Sequence, residues 1–296
     1  MSNMFSDCNK LKTITGLGDL DMSNVTTIDY MFSNVSALET WGLDKWDTSK
    51  IETMAQTFRR SSICNDSGVE NWKLPNLKGL YFTFADCKNL THLDLSGWVT
   101  ENTNSIALEA VFYNSDKIES INFENWSHIK FTKLATVFLG CSVLTEIKGI
   151  ENFDTSNVTS MIQMFLNCKS LTSLDVSGFD TSKVTNMTSM FANCSKLTSL
   201  NLSNWPLDKV NTVIPQLSVS PSTSTLYGTV IIDESALPSG WVYDNVLLIA
   251  KYTANVTGVL PTFNTDFTGY TTGETDNGDG TYTVSIATDS LDNLPT

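Results

Sequence analysis

Eight phenylalanines recur along the chain at steps of 26 to 28 residues: Phe5, Phe32, Phe58, Phe84, Phe112, Phe138, Phe165 and Phe191. A period of this size belongs to a solenoid, in which no unit can bury its own apolar face and each must stack on its neighbours. The clearest pair of units lies between Asn152 and Phe191. There FDTSNVTSMIQMF, from Phe153 to Phe165, returns as FDTSKVTNMTSMF, from Phe179 to Phe191.

Other columns follow from the same alignment. Three residues after the phenylalanine stand Cys8, Cys87, Cys141, Cys168 and Cys194, and three further on stand Leu11, Leu38, Leu90, Ile118, Leu144, Leu171 and Leu197. An alternating piece comes next: Leu93-Asp94-Leu95, Ile121-Asn122-Phe123, Leu174-Asp175-Val176 and Leu200-Asn201-Leu202. Period two predicts a short strand with one buried face. An aromatic then closes the strand: Trp46, Trp72, Trp98, Trp126, Phe153, Phe179 or Trp205, with Trp41 and Trp241 outside the column. Asp-Thr-Ser at Asp47, Asp154 and Asp180 favours a turn, because both side-chain types bond nearby backbone. From Val158 to Phe165 the apolar spacing i, i+3, i+6, i+7 predicts a short helical or 3₁₀ piece. Each unit is thus expected to be strand, turn, helical piece and return. Two units are irregular: a looser loop is expected near Asn65 to Gly68, and two glycines weaken the strand signal between Gly16 and Asp19.

Composition bounds the partners. The chain has 296 residues, a net charge of -14 and a pI of about 4.4, with 41% hydrophobic residues. That charge argues against nucleic acid or an anionic membrane as partner, since both call for a basic patch. No apolar run reaches the length of a membrane span, so no membrane insertion is expected. MSNMFSDCNKL lacks the basic and apolar regions of a signal peptide. The sequence opens inside a repeat, with no polar cap before Met1, so more chain or other subunits are expected at that end.

LTSLDVSGFDTSKVTNMTSMFANCSKL, from Leu171 to Leu197, resembles the repeat of the BspA-like leucine-rich-repeat surface proteins of bacteria. The resemblance covers about Met1 to Val213. It implies an α/β solenoid: a right-handed leucine-rich-repeat superhelix with a parallel sheet along one face. It also implies adhesion or binding at a cell surface, and it brings no catalytic residues.

The domain reading is a solenoid of about eight units over 1–213, a cap or linker over 214–249 and a small β-sandwich-like module over 250–296 that is short for a complete sandwich. The linker follows from the Pro/Ser/Thr-rich IPQLSVSPSTSTLYG, after which Asp233 is the expected N-cap of a helical turn. In the last segment Asp276-Asn-Gly-Asp-Gly predicts a hairpin tip before an alternating Thr281 to Ala287.

Repeat position accounts for most of the residues that could otherwise mark a site. Five of six cysteines share a column, which reads as buried free thiols, with Cys64 outside it; the absence of a CxxC pair speaks against zinc. His92 and His128 have no ligand spacing. Asp276, Asn277, Asp279 and Gly280 carry too few oxygen ligands before Thr281 for a calcium loop. No catalytic residue, cofactor or metal is expected. The better candidate is the outward strand face, His92, Asp94, Asn122, Glu124, Lys148, Asp175, Ser177, Asn201 and Ser203, opposite the buried column. The expected function is non-enzymatic recognition of a protein or glycan through this face by an extracellular or cell-surface protein. The alternative is a phage virion component, such as a fibre or head decoration, using the same repeats. A hydrolase would need a pocket joining His92 or His128 to an acid and a nucleophile.

Overall fold

The computed structural model describes residues 1–99, 102–217, 224–228, 237, 241–245, 248–252, 271–276 and 282–287. It is a parallel-strand β-solenoid with little helix. Among the described residues the one α-helix, α1, spans Leu207–Val213 and follows the last repeat.

The element common to all eight coils surrounds the repeated phenylalanine. It is not the helical piece that the apolar spacing predicts but a run of tight turns. The residues two before and two after each phenylalanine are left-handed: Gln163 (φ 54°) and Asn167 (φ 64°) flank Phe165, and Ser189 (φ 54°) and Asn193 (φ 60°) flank Phe191. Left-handed residues between right-handed ones stop a helix from propagating and turn alternate N–H groups outward along the axis. The amides of Gln163, Phe165 and Asn167 donate to Thr188, Met190 and Ala192 of the next coil, at 2.9, 2.9 and 3.0 Å. The intervening amides of Met164, Leu166 and Cys168 donate three residues back, to Met161, Gln163 and Phe165. Every backbone donor here therefore has a partner, half within the coil and half between coils. The same pattern begins at Asn3, whose N–H donates to Asp29.

Short parallel strands flank this ladder. Strands β1 (Gly79–Tyr81), β3 (Ile106–Glu109) and β5 (Phe131–Lys133) form one sheet, and β2 (His92–Asp94), β4 (Ser120–Asn122) and β6 (Glu146–Lys148) another. A further parallel sheet runs β7 (Ser173–Asp175), β8 (Ser199–Asn201), β9 (Ser224–Gly228) and β10 (Trp241–Asn245). Leu93 lies beside Ile121 and Ile121 beside Ile147, so a buried column faces inward while its strand neighbours face out. Among the described residues no strand pairing joins β6 to β7, whereas the turn ladder crosses that point without a break.

The core is a stack of rings. Phe138–Phe165 and Phe165–Phe191 lie 5.5 and 5.6 Å apart, nearly parallel, and the whole column repeats this contact. Burying one such ring contributes about 1.5–3 kcal/mol, and each aromatic pair adds about 0.5–1.5 kcal/mol. Trp41, outside the tryptophan column, packs edge-on against Phe32 and Phe58.

The expected looser loop at Asn65 to Gly68 is instead ordered. Two 3₁₀ turns, Asn65–Ser67 and Val69–Asn71, meet at Gly68, whose φ is 92°. A Cβ on Gly68 would collide with the backbone of Asp44 in the preceding coil, so close approach as well as φ requires glycine. At this point the coil has a single bridge, Cys64 to Asn89, in place of a strand, and the side chain of Asn65 extends the pairing. Its Oδ1 accepts the amides of Thr91 (3.0 Å) and His92 (3.2 Å), and its Nδ2 donates to Thr91 Oγ1 (2.7 Å). Gly16 (φ 76°) likewise opens a 3₁₀ turn, Leu17–Asp19, where glycines weaken the strand signal.

Strands β11 (Leu248–Tyr252), β13 (Tyr282–Ala287) and β12 (Thr271–Asp276) form an antiparallel sheet, with Asp276 opposite Tyr282. Asp233 and the tip residues Asn277, Asp279 and Gly280 lie outside the described residues.

Candidate binding face

Period-two strands place His92 and Asp94 on β2, Asn122 on β4 and Lys148 on β6 outward, in register across neighbouring coils. They border an open concavity of about 210 Å³. Ser120 and Glu146, with the floor residues Leu93 and Ile121, share its lining, and the two polar residues escape the sequence reading. The signal was present, since each lies two residues before an outward residue already on the same strand.

Neighbouring side chains hold one another across the coils. His92 Nδ1 is 2.8 Å from Ser120 Oγ, and His92 Nε2 is 3.9 Å from a Glu119 carboxylate oxygen. Glu124 lies beyond β4, where its N–H donates to Asn122 Oδ1 at 2.9 Å. Asp175 and Asn201 sit on β7 and β8, and Asn201 Nδ2 donates to Asp175 Oδ2 at 2.9 Å. The two serines of the candidate set are turned to local work. Ser177 donates its hydroxyl and its N–H to Asp175 Oδ1, at 2.7 and 2.9 Å. Ser203 is buried and bonds Asn201 in the same manner. These two sheets are not joined to each other by strand pairing among the described residues, so the concavity gathers His92, Asp94, Asn122 and Lys148 but not Asp175 or Asn201.

The repeated polar residues have structural partners. Asp47 Oδ1 accepts the N–H of Ser49, and Asp180 Oδ1 that of Ser182, closing the expected turns. Serine hydroxyl and backbone N–H together hold the carboxyls of Asp21, Asp47 and Asp180 below the usual carboxylate range. The cysteines are free, and Cys87, Cys141, Cys168 and Cys194 are buried. Each of these four thiols donates to the carbonyl of the preceding coil's phenylalanine, at 3.1–3.2 Å. Burial pushes all four upward, Cys194 to about 12. The indoles of Trp46, Trp72, Trp98, Trp126 and Trp205 each donate to a carbonyl of the preceding coil, at 2.8–2.9 Å. A column whose polar atoms are all engaged inside is packing, not a sugar platform. His128 lies apart from His92 and pairs through Nε2 with the Val99 carbonyl at 2.9 Å. Among the described residues no group of acidic, histidine or cysteine side chains forms a metal-binding cluster. Nor is any described helix long and apolar enough to cross a membrane.

Stacked parallel coils with an aromatic spine and an outward polar sheet define a solenoid repeat protein. The chain belongs to the family described as Mycoplasma protein of unknown function, DUF285, whose model matches it twice, over residues 1–108 and 106–223. No curated protein and no solved structure matches the chain.

Proposed function

We propose that this protein is a non-enzymatic binding protein, exposed at a cell surface, that takes a protein or glycan ligand on its outward strand face. The observation that carries the reading is the concavity across β2, β4 and β6, lined by side chains of both charge signs from three successive coils. Solenoids use such regular faces for extended recognition. The BspA-like leucine-rich-repeat resemblance supports the adhesive role, and with it the right-handed α/β superhelix and a closing all-β module. A virion fibre or decoration using the same face is the alternative assembly. The test is to compare the chain with its Asp94→Lys/Asp175→Lys variant on panels of immobilised glycans and proteins. Undiminished binding by the variant removes the strand face from consideration.

One observation favours a second reading, hydrolysis: Ser120, His92 and Glu119 lie in the order nucleophile, base, acid. Against it, the Ser120 amide is directed to the Thr91 carbonyl at 3.4 Å rather than toward an oxyanion, and His92 and Glu119 are each 57% exposed. Release of p-nitrophenol from p-nitrophenyl acetate that is lost in Ser120→Ala would establish the second reading.

A further inference from the structure

In a repeat protein, stacking explains the residues that recur; exposed residues that break a column need another reason. One flank of the solenoid collects several. The chain contains two arginines, Arg59 and Arg60, and they are adjacent. Arg60 occupies the left-handed position after the repeated phenylalanine (φ 54°), which the other coils give to Asp7, Asn34, Asp86, Asn114, Gly140, Asn167 and Asn193. Those types tolerate left-handed backbone; arginine does so at a cost of about 1 kcal/mol. A strained residue set against its column's preference is a pointer to function.

The neighbours of the two arginines are aromatic. Tyr30, Gln56 and Phe82 fill the other left-handed column in three successive coils, and Tyr30 is 38% exposed. Contacts run unbroken along the axis. Gln56 Nε2 donates to the Tyr30 hydroxyl at 3.1 Å, and Arg59 donates to Gln56 Oε1 at 2.8 Å. The Arg59 guanidinium lies 5.5 Å from the centre of the half-buried Phe82 ring, and Phe82 is 6.0 Å from the half-buried Tyr113. The string crosses four coils, or roughly 15 Å at the strand-like spacing of about 5 Å per coil. Asp86 is shared by Arg60 (3.3 Å) and Arg59 (3.9 Å), so one carboxylate faces two guanidinium groups. Arg60 pairs only through Nε, and its terminal N–H groups have no protein acceptor among the described residues.

We propose that this flank binds an extended glycan whose sugars carry carboxylates, a uronic-acid polymer. The partly exposed rings offer π faces to the apolar faces of pyranose rings, and the free fork of Arg60 matches a carboxylate bidentately. The length of the string suits a chain of sugars rather than one terminal sugar. A peptide adding a strand is disfavoured. The backbone amides of Gln56, Phe58 and Phe82 already donate to Tyr81, Thr83 and Glu109 of the next coils, so this flank offers no open edge. This surface is separate from the β2-β4-β6 face, and the inference does not depend on it.

The experiment measures binding of the full chain to fluorescently labelled hyaluronan hexasaccharide, with chitohexaose as neutral sugar and hexaglutamate as acidic peptide. Hyaluronan alone should bind. Arg60→Asn and Phe82→Asn should each lower its affinity tenfold or more with unchanged circular dichroism, because asparagine stands in the same two columns at Asn34 and Asn3. Arg60→Lys, which keeps the charge and loses the fork, should also weaken binding. Lys183→Ala, at an exposed turn that belongs to neither surface, should leave it intact. The proposal is overturned if hyaluronan does not bind, if chitohexaose binds equally, if hexaglutamate is preferred, or if the Arg60 variants bind as the wild type does.

Discussion

The side-chain carbonyl of Gln216 accepts the backbone N–H of Phe191 at 3.4 Å. In earlier coils that N–H donates to the backbone of the coil that follows, as Phe165 does to Met190. The amide nitrogen of Gln216 meanwhile donates to the Met187 carbonyl at 3.1 Å. In earlier coils the corresponding carbonyls, Ile28 and Met54, take the hydroxyls of Thr57 and Thr83. One carboxamide thus replaces both the acceptor and the donor that a ninth run of the turn ladder would have supplied, while β9 continues the strand pairing beside it.

Replacing Gln216 by alanine leaves the Phe191 amide and the Met187 carbonyl without these partners. The expected loss is about 1–3 kcal/mol in urea unfolding, the range for an unsatisfied polar group. Native-state hydrogen exchange should show the Phe191 amide opening faster while that of Phe165 is unchanged. Equal protection of both would mean that Gln216 does not cap the ladder.

Phe165→Ala removes a ring stacked on both sides, by Phe138 and Phe191. The expected cost is about 3–5 kcal/mol from lost burial and the cavity left behind. A shift in the denaturant midpoint too small to measure would contradict a continuous ring spine.

The phenylalanine, cysteine and tryptophan columns were legible in the sequence because each residue meets an equivalent partner one period away, ring on ring for the phenylalanines and thiol or indole on a carbonyl of the preceding coil for the others. The turn conformation was not. Val158, Met161, Met164 and Phe165 have the spacing of a helix face, and the same spacing serves a run of turns whose left-handed residues restart the pattern every four positions. The signal that distinguishes them is the column of Asp7, Asn34, Asp86, Asn114, Gly140, Asn167 and Asn193, two residues past each phenylalanine. Asn65 carries only a loop signal in the sequence because its partners, Thr91 and His92, lie 26 and 27 residues away. On the strand face, period two placed His92, Asp94, Asn122 and Lys148 correctly outward. It could not show that Ser177 and Ser203 spend their hydroxyls on the strand residue two positions earlier.

Thr136 tests the turn geometry directly. It is β-branched and left-handed, with φ 54°. Thr136→Asn should stabilise the protein by roughly 0.5–1 kcal/mol by relieving that conformation. Asn167→Val, the reverse exchange at φ 64°, should cost about 1–2 kcal/mol. Denaturant midpoints moving in opposite directions would verify both signs. A destabilised Thr136→Asn would place the strain elsewhere.

The cysteine column sets an alkaline limit. Below pH 9 the thiols are protonated in folded and unfolded chains alike, so the column's contribution is whole. In the unfolded chain Cys194 ionises near its ordinary value of 9.0, whereas in the fold it is held to about 12. Stability is therefore lost as pH rises from 9 toward 12, by about 1 kcal/mol for this thiol at pH 10. Serine fills the same column at Ser115 and makes the same bond, to the Phe84 carbonyl at 2.5 Å. Cys194→Ser should consequently fold and lose less stability than the wild type between pH 8 and pH 10.5 in urea titrations. Alkylation followed by mass spectrometry at pH 8 should modify the exposed Cys8 and the half-buried Cys64 while sparing Cys87, Cys141, Cys168 and Cys194. Modification of the buried four in the folded protein would break the assignment of their thiols to the carbonyls of the preceding coil.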